Sequence, residues 1–429
     1  MKYIYKILFL SLILPIFTSC TEKKLPPLSG VRVNVLHYDL QKEESKTKIS
    51  IHLPEATNLL EWKTSDTNQY IGLPYNISLP ENLTLKKKIY PNKFRPSGGD
   101  SAVMIIDGIL YSYTKSVVSA YNIANKKTIW SSVAISGSEK NDVLSGSMAY
   151  DKGKIYLSSG GRDFISFDSL TGKELWRYKA YNVVRHIPTI EDNKIYITTI
   201  DNTLSCLDMD GSILWRYDAP VFSLTSNHLY SPAIIYNDKV IAATTAGDLI
   251  ILNNADGDEL TQVNLATSSI IGDGSLEKGP IMSPLLDGSN LYLLTGESDL
   301  IKIDLNTPEI LWRQTFPGAK SLWLTQELTY LITNTNQLLA ITNTTGKLLW
   351  VIDLPKDPKS KKLNKFYGPI IANGKLIVTA NTGEFFTFSP KDGSLLSSYQ
   401  NRFSVNQMPI IVDNKAYFVG NKGEISIWQ

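Results

Sequence analysis

The chain has two cysteines among 429 residues. Two thiols cannot build a disulfide-rich scaffold or a four-thiolate zinc site. Histidine is equally scarce. His37, His52, His186 and His228 are scattered, with no His-x-x-His or His-Glu-x-x-His spacing. The zinc and metalloprotease signatures are therefore missing. No Gly-Lys-Ser/Thr follows the loop glycines Gly160-Gly161 or Gly272-Asp-Gly274, so the phosphate-loop signature is missing too. Excess charge of one sign is also lacking, at 43 basic against 41 acidic residues, which argues against a dedicated nucleic-acid binder. Lys86-Lys-Lys88 and Lys359-Ser-Lys361-Lys362 are short basic runs that read as solvated loops. No apolar run after residue 20 is long enough to span a bilayer, which takes about 20 residues.

The small positive excess has one source. Residues 1–19 carry Lys2 and Lys6 and no acid, so the rest of the chain balances 41 against 41. Met1–Lys6 is a positive start and Ile7–Leu14 a short apolar core, followed by Phe17-Thr18-Ser19-Cys20. This is the layout of a secretory signal. The last four residues resemble the lipobox of bacterial lipoproteins, which makes Cys20 the expected lipidation site and new N-terminus. Acyl chains there anchor strongly, at about 0.8 kcal/mol per buried CH₂. Thr21, standing where Asp would retain a lipoprotein in the inner membrane, points to the outer membrane. Residues 1–19 are thus expected to be a signal peptide and 20–57 a lipidated tether and extension, with 58–429 as the folded body.

That body is repetitive. An apolar strand recurs eight times, at Gly108-Ile-Leu-Tyr111, Gly153-Lys-Ile-Tyr156, Asn193-Lys-Ile-Tyr196, Asp238-Lys-Val-Ile241, Ser289-Asn-Leu-Tyr292, Leu328-Thr-Tyr-Leu331, Gly374-Lys-Leu-Ile377 and Asn414-Lys-Ala-Tyr417. A second strand follows around pairs such as Ala120-Tyr121, Ser166-Phe167, Cys206-Leu207 and Ala340-Ile341. Then comes a turn and a strand of the form Thr171-Gly172-Lys-Glu-Leu-Trp176 or Asp210-Gly211-Ser-Ile-Leu-Trp215. The glycine supplies positive φ in the turn. Trp130, Trp176, Trp215, Trp312 and Trp350 are expected in the seams between repeats, and Thr261 and Ser397 stand where two copies have lost the tryptophan. Cys206, aligned with Ala120 and Ala340, reads as a small core residue.

Strands in fours at this spacing predict an all-β, eight-bladed β-propeller with four antiparallel strands per blade. The chain ends at Trp428-Gln429 without a fourth strand for the last copy. An N-terminal strand is therefore expected to complete the last blade, and Asn58-Leu-Leu-Glu-Trp62-Lys63 has the right form. Closure of this kind removes exposed sheet edges.

The repeat resembles the PQQ-like repeat. Taken with the lipobox and blade count, the chain resembles the BamB family, the propeller lipoproteins of the outer-membrane β-barrel assembly (BAM) complex. Tyr367–Glu384 and Met408–Tyr417 carry the likeness most clearly, and Leu28–Leu36 looks like the stretch that precedes the propeller in α-proteobacterial members. The resemblance implies a non-catalytic scaffold without cofactor or metal. It implies docking to the barrel-forming subunit BamA, with unfolded outer-membrane proteins as clients. It also implies contacts on inter-blade loops, at Phe222, Leu224 and Thr225 and near Glu277. Thr225 stands where the family has Arg, which removes a charge-assisted contact, and Gly279 and Ile281 stand where it has acids. Two other readings remain: a PQQ-dependent quinoprotein dehydrogenase, and an envelope propeller with a different partner.

Overall fold

A computed structural model describes residues 51–65, 74–89, 102–136, 146–219, 231–244, 247–265, 282–356 and 364–429. All of them belong to one compact unit, Leu40–Gln429. The described residues form eight four-stranded antiparallel sheets. Seven are continuous in sequence: blade 1 (102–133), blade 2 (147–179), blade 3 (189–218), blade 4 (234–264), blade 5 (285–315), blade 6 (319–353) and blade 7 (366–400). First strands touch one another between blades 1 and 2 and between blades 6 and 7, on the inner side of the ring. Second and third strands are almost wholly buried. Fourth strands alternate exposed and half-buried residues, as an outer edge should. The propeller expected from the repeats is the fold observed, and each of the eight recurring apolar segments is the second strand of its blade.

The spacing within each repeat has a geometric cause. The residue pairs Ala120-Tyr121, Ser166-Phe167, Cys206-Leu207, Ile251-Leu252, Lys302-Ile303 and Ala340-Ile341 mark where the third strand slips register against the fourth. Such a bulge adds twist and re-aims the side chain beside it. In five of the six that side chain is the tryptophan, and in blade 4 it is Thr261. Trp130, Trp176, Trp215, Trp312 and Trp350 each lie 6.0–6.1 Å from a second-strand tyrosine of their own blade. Each donates its indole N–H across the seam to a carbonyl of the next blade: Ser169, Met209, Asn254, Asn343 and Pro390, at 2.9–3.1 Å. The seam position expected for these residues is the position found. Cys206 is fully buried, and burial pushes its thiol up to about 11.

Ring closure follows the expected plan with a different strand. Blade 8 (Ile410–Val412, Lys415–Val419, Ile425–Trp428) gains its fourth strand from Leu85–Ile89, paired antiparallel to Ile425–Trp428. Thr84 and Gln429 exchange backbone hydrogen bonds at 3.0 Å. Asn58–Lys63 does not complete the blade. It lies instead against first strands, because Trp62 is fully buried against the inner edge of blade 1 rather than half-buried at an outer seam. Lys86-Lys-Lys88, expected in a solvated loop, is part of the closing strand. An outer strand buries one face only, which leaves room for lysines.

Candidate docking surface

The residues expected to dock a partner, Phe222, Leu224, Thr225 and Glu277, lie outside the described residues, as do Gly279, Ile281 and the expected lipidation residue Cys20. The strands that flank them are described. Phe222–Thr225 falls between the outer strand Ile213–Asp218 of blade 3 and the inner strand Ile234–Tyr236 of blade 4. Glu277 falls one blade further on, between Glu259–Asn264 and Leu285–Asp287. Both are outer-to-inner connections, so they leave the same end of the propeller from neighbouring blades. They are long ones, running from 219 to 233 and from 265 to 284, whereas 316–318 suffices between blades 5 and 6. Long connections on a rigid scaffold are where binding residues concentrate.

At the opposite end, where first and second strands turn, the chain N-terminal to the closing strand makes a belt. His52 faces Glu327 of blade 6 at 3.4 Å. Thr57 pairs with Ile77, and Ile77 bridges Ala372 of blade 7. Leu59 accepts a bond from the Asp413 N–H of blade 8 at 2.8 Å. Trp62 exchanges backbone bonds with Ile105 of blade 1 at 2.8 and 3.3 Å. Lys63 and Ser65 bond Tyr150 and Met148 of blade 2 at 2.9 and 3.0 Å. Coming back, Tyr75 donates to the Asp287 carboxylate of blade 5 and accepts from the Trp323 indole of blade 6 at 3.0 Å. No repeat pattern announces this belt. Its one sequence signal is the isolated apolar and aromatic set Leu59, Trp62 and Ile77.

The belt leaves a groove of about 590 Å³ between itself and the first strands of blades 2 and 3. Leu60, Ile187 and Ile190 give it apolar walls. Glu61, Asp151 and Glu191 stand around it. Lys63 is the sole cation among the described residues lining it, and it is engaged by Glu61 at 2.9 Å, which raises its pKa. Burial, with Asp192 nearby, raises the pKa of Glu191.

Of the histidines, His186 precedes blade 3, and burial beside Arg185 pushes it down to about 3. Among the described residues no three of His, Cys, Asp and Glu converge as a metal site would require.

The comparisons with known proteins agree with this geometry. The family described as "Outer membrane protein assembly factor BamB" matches residues 114–339 and 273–429. An uncharacterized protein of Rickettsia conorii, RC0314, is 27% identical over 338 residues, covering 76% of this chain and 79% of that one. BamB from Moraxella catarrhalis superposes with a TM-score of 0.65 at 16% identity, over 81% of this chain and 100% of that one. Quinohemoprotein alcohol dehydrogenase from Comamonas testosteroni gives 0.64 at 12% identity, over 87% and 81%. At such identities the two structural likenesses speak for the propeller alone, shared by BamB and an alcohol dehydrogenase. The family match is one of sequence, runs from the end of the second strand of blade 1 to the end of the chain, and brings an assembly role in the cell envelope with it. The chain belongs to the BamB family of outer membrane protein assembly factors.

Proposed function

We propose that this protein is a non-catalytic, lipid-anchored scaffold on the periplasmic face of the outer membrane. It binds the BamA-like barrel-forming subunit and assists the insertion of outer-membrane proteins. The observation that carries the reading is the family match from residue 114 to the end of the chain. The lipobox at Cys20 supports the anchor. The paired long connections after blades 3 and 4, which contain Phe222, Leu224, Thr225 and Glu277, support the docking site. Docking is non-covalent: apolar anchors at Phe222 and Leu224 enter a pocket on the partner, and burial of such a side chain contributes about 1.5–3 kcal/mol. With Thr225 in place of the family's arginine, apolar contact carries more of the affinity.

Affinity capture from detergent-solubilised membranes tests the reading. The barrel-forming subunit is expected among the captured proteins. Leu224→Asp is expected to weaken capture about tenfold or more while leaving the unfolding midpoint unchanged, since it buries an unpaired charge at the contact. Capture of a different envelope protein in its place would overturn the proposal. Unchanged capture by Leu224→Asp would remove that connection from the interface.

A further inference from the structure

The inner edge of a blade is built in a regular way. In blades 1, 2 and 3 the first and second strands meet at a two-residue turn with positive φ, Asp107-Gly108, Lys152-Gly153 and Asp192-Asn193. The residues flanking such a turn bond each other. The backbone N–H and C=O of the residue one step before the flank therefore point away from the blade, toward the axis. In blade 1 that residue is Ile105, and both its groups are taken by Trp62 of the belt. In blade 2 it is Tyr150, whose N–H is taken by Lys63. In blade 3 it is Ile190, and no described residue bonds its axis-facing N–H or C=O. The groove of about 590 Å³ lies there, with Ile190 in its wall.

We infer that this groove binds an extended polypeptide segment in which basic and apolar residues alternate, added as a strand to the inner edge of blade 3. Three features fix the class of ligand. A single residue offering both a donor and an acceptor at an open strand edge is satisfied by another backbone, as Trp62 satisfies Ile105 one turn of the belt away. Alternation follows from the strand, whose successive side chains face opposite sides: one set meets Leu60 and Ile187, the other meets the rim. The rim selects charge. Glu61, Asp151 and Glu191 stand there against Lys63 alone, so a cationic segment is attracted and an acidic one repelled. The inference depends on the scaffold reading only in taking the ligand to be a polypeptide. The site is at the end of the propeller opposite to the connections holding Leu224, so partner docking and segment binding are separable.

The test uses the full chain in detergent and a short fluorescent peptide of alternating lysine and valine, with a glutamate–valine peptide as its counterpart. Fluorescence anisotropy is expected to show saturable binding of the first and none of the second. Ile190→Pro removes the axis-facing donor without touching the ladder inside the blade, and is expected to weaken binding about tenfold with the circular dichroism midpoint retained. Should Ile190→Pro fail to fold, Asp151→Lys with Glu191→Lys decides: it is expected to abolish binding of the lysine peptide and to admit the glutamate one. Equal binding of both peptides, or wild-type affinity in the variants, would overturn the inference. So would binding seen only after 66–73 is replaced by a Gly/Ser linker, which would assign the groove to the chain itself. Absence of lysine-peptide binding by the unaltered protein, with capture of the barrel-forming subunit intact, counts against this inference alone. The reverse result counts against the scaffold reading alone.

Discussion

At the scale of single residues, tryptophan and glycine act as a pair across five of the seams. A Cβ built on Gly211 would lie 2.6 Å from Cε3 of Trp176, and one on Gly172 would lie 2.3 Å from Cε3 of Trp130. The indole lies flat on the next blade's turn, so that turn has no room for a side chain. Where the tryptophan is lost the glycine is lost with it: Thr261 of blade 4 faces a turn carrying Pro308 in blade 5. At the closure, Lys87 donates to the Ile123 carbonyl at 3.1 Å, the place an indole N–H takes elsewhere. Two substitutions separate conformational strain from contact. Gly108 has φ of 72° and open space around its Cβ position. Gly108→Ala is expected to cost about 1–2 kcal/mol from the left-handed backbone alone. Gly211, at φ 84°, adds the clash with Trp176, and Gly211→Ala is expected to cost about 3–4 kcal/mol. Urea unfolding compares them, and equal losses would show that the indole does not press on the turn.

Lys320 gives a prediction with a pH signature. It occupies the bulge of the first strand of blade 6, between Ala319 and Ser321. Burial, with Lys365 nearby, pushes its ammonium from 10.5 down to about 8. A lysine whose folded pKa lies below its unfolded one costs stability in full below the lower value, and the cost vanishes above the higher. Lys320→Met is therefore expected to stabilise the fold at pH 7 by about 1–2 kcal/mol, allowing for its partial exposure. The gain should be gone by pH 10.5, whereas an undiminished gain there would mean that packing, not charge, is responsible.

At the scale of elements, the sequence reveals what repeats and hides what does not. Second strands are legible because a turn pair and a run of apolar residues coincide eight times. Seam tryptophans are legible because a glycine turn precedes them. The closing strand is not, because Leu-Lys-Lys-Lys-Ile has neither tryptophan nor glycine turn, and its partner lies at the far end of the chain. Asn58–Lys63 imitates an outer strand through Trp62, yet an indole fits the inner edge of blade 1 equally well. Choosing between them takes the three-dimensional path of the belt. The proposed docking residues are the least legible, since a connection obeys no period and Phe222 and Leu224 rest on family likeness. The belt carries its own prediction. Deleting residues 51–79 leaves all eight blades complete but uncovers backbone groups on the first strands of blades 1, 2 and 7. Open edges pair with other chains. Sedimentation is expected to show concentration-dependent self-association of the deleted protein, and a monomer with the original unfolding midpoint would contradict this.

At the scale of the whole molecule, a ring closed by pairing Leu85–Ile89 with Ile425–Trp428 ties both ends of the fold into one blade. Blade 8 takes its fourth strand from the far end of the fold, which leaves the ring without an open edge at the closure. Beyond residue 19 the side-chain charges balance at 41 basic and 41 acidic, so recognition comes from local patches such as the acidic rim around Asp151 and Glu191 rather than from a global field. A rigid, balanced ring with two separate faces suits a part that holds others in place. The direct test is insertion of an outer-membrane β-barrel into proteoliposomes that carry the barrel-forming subunit, with and without this protein. Its addition is expected to raise the rate at which folded, heat-modifiable barrel accumulates, and Leu224→Asp to remove most of the gain. An insertion rate that stays the same with this protein bound would contradict the account.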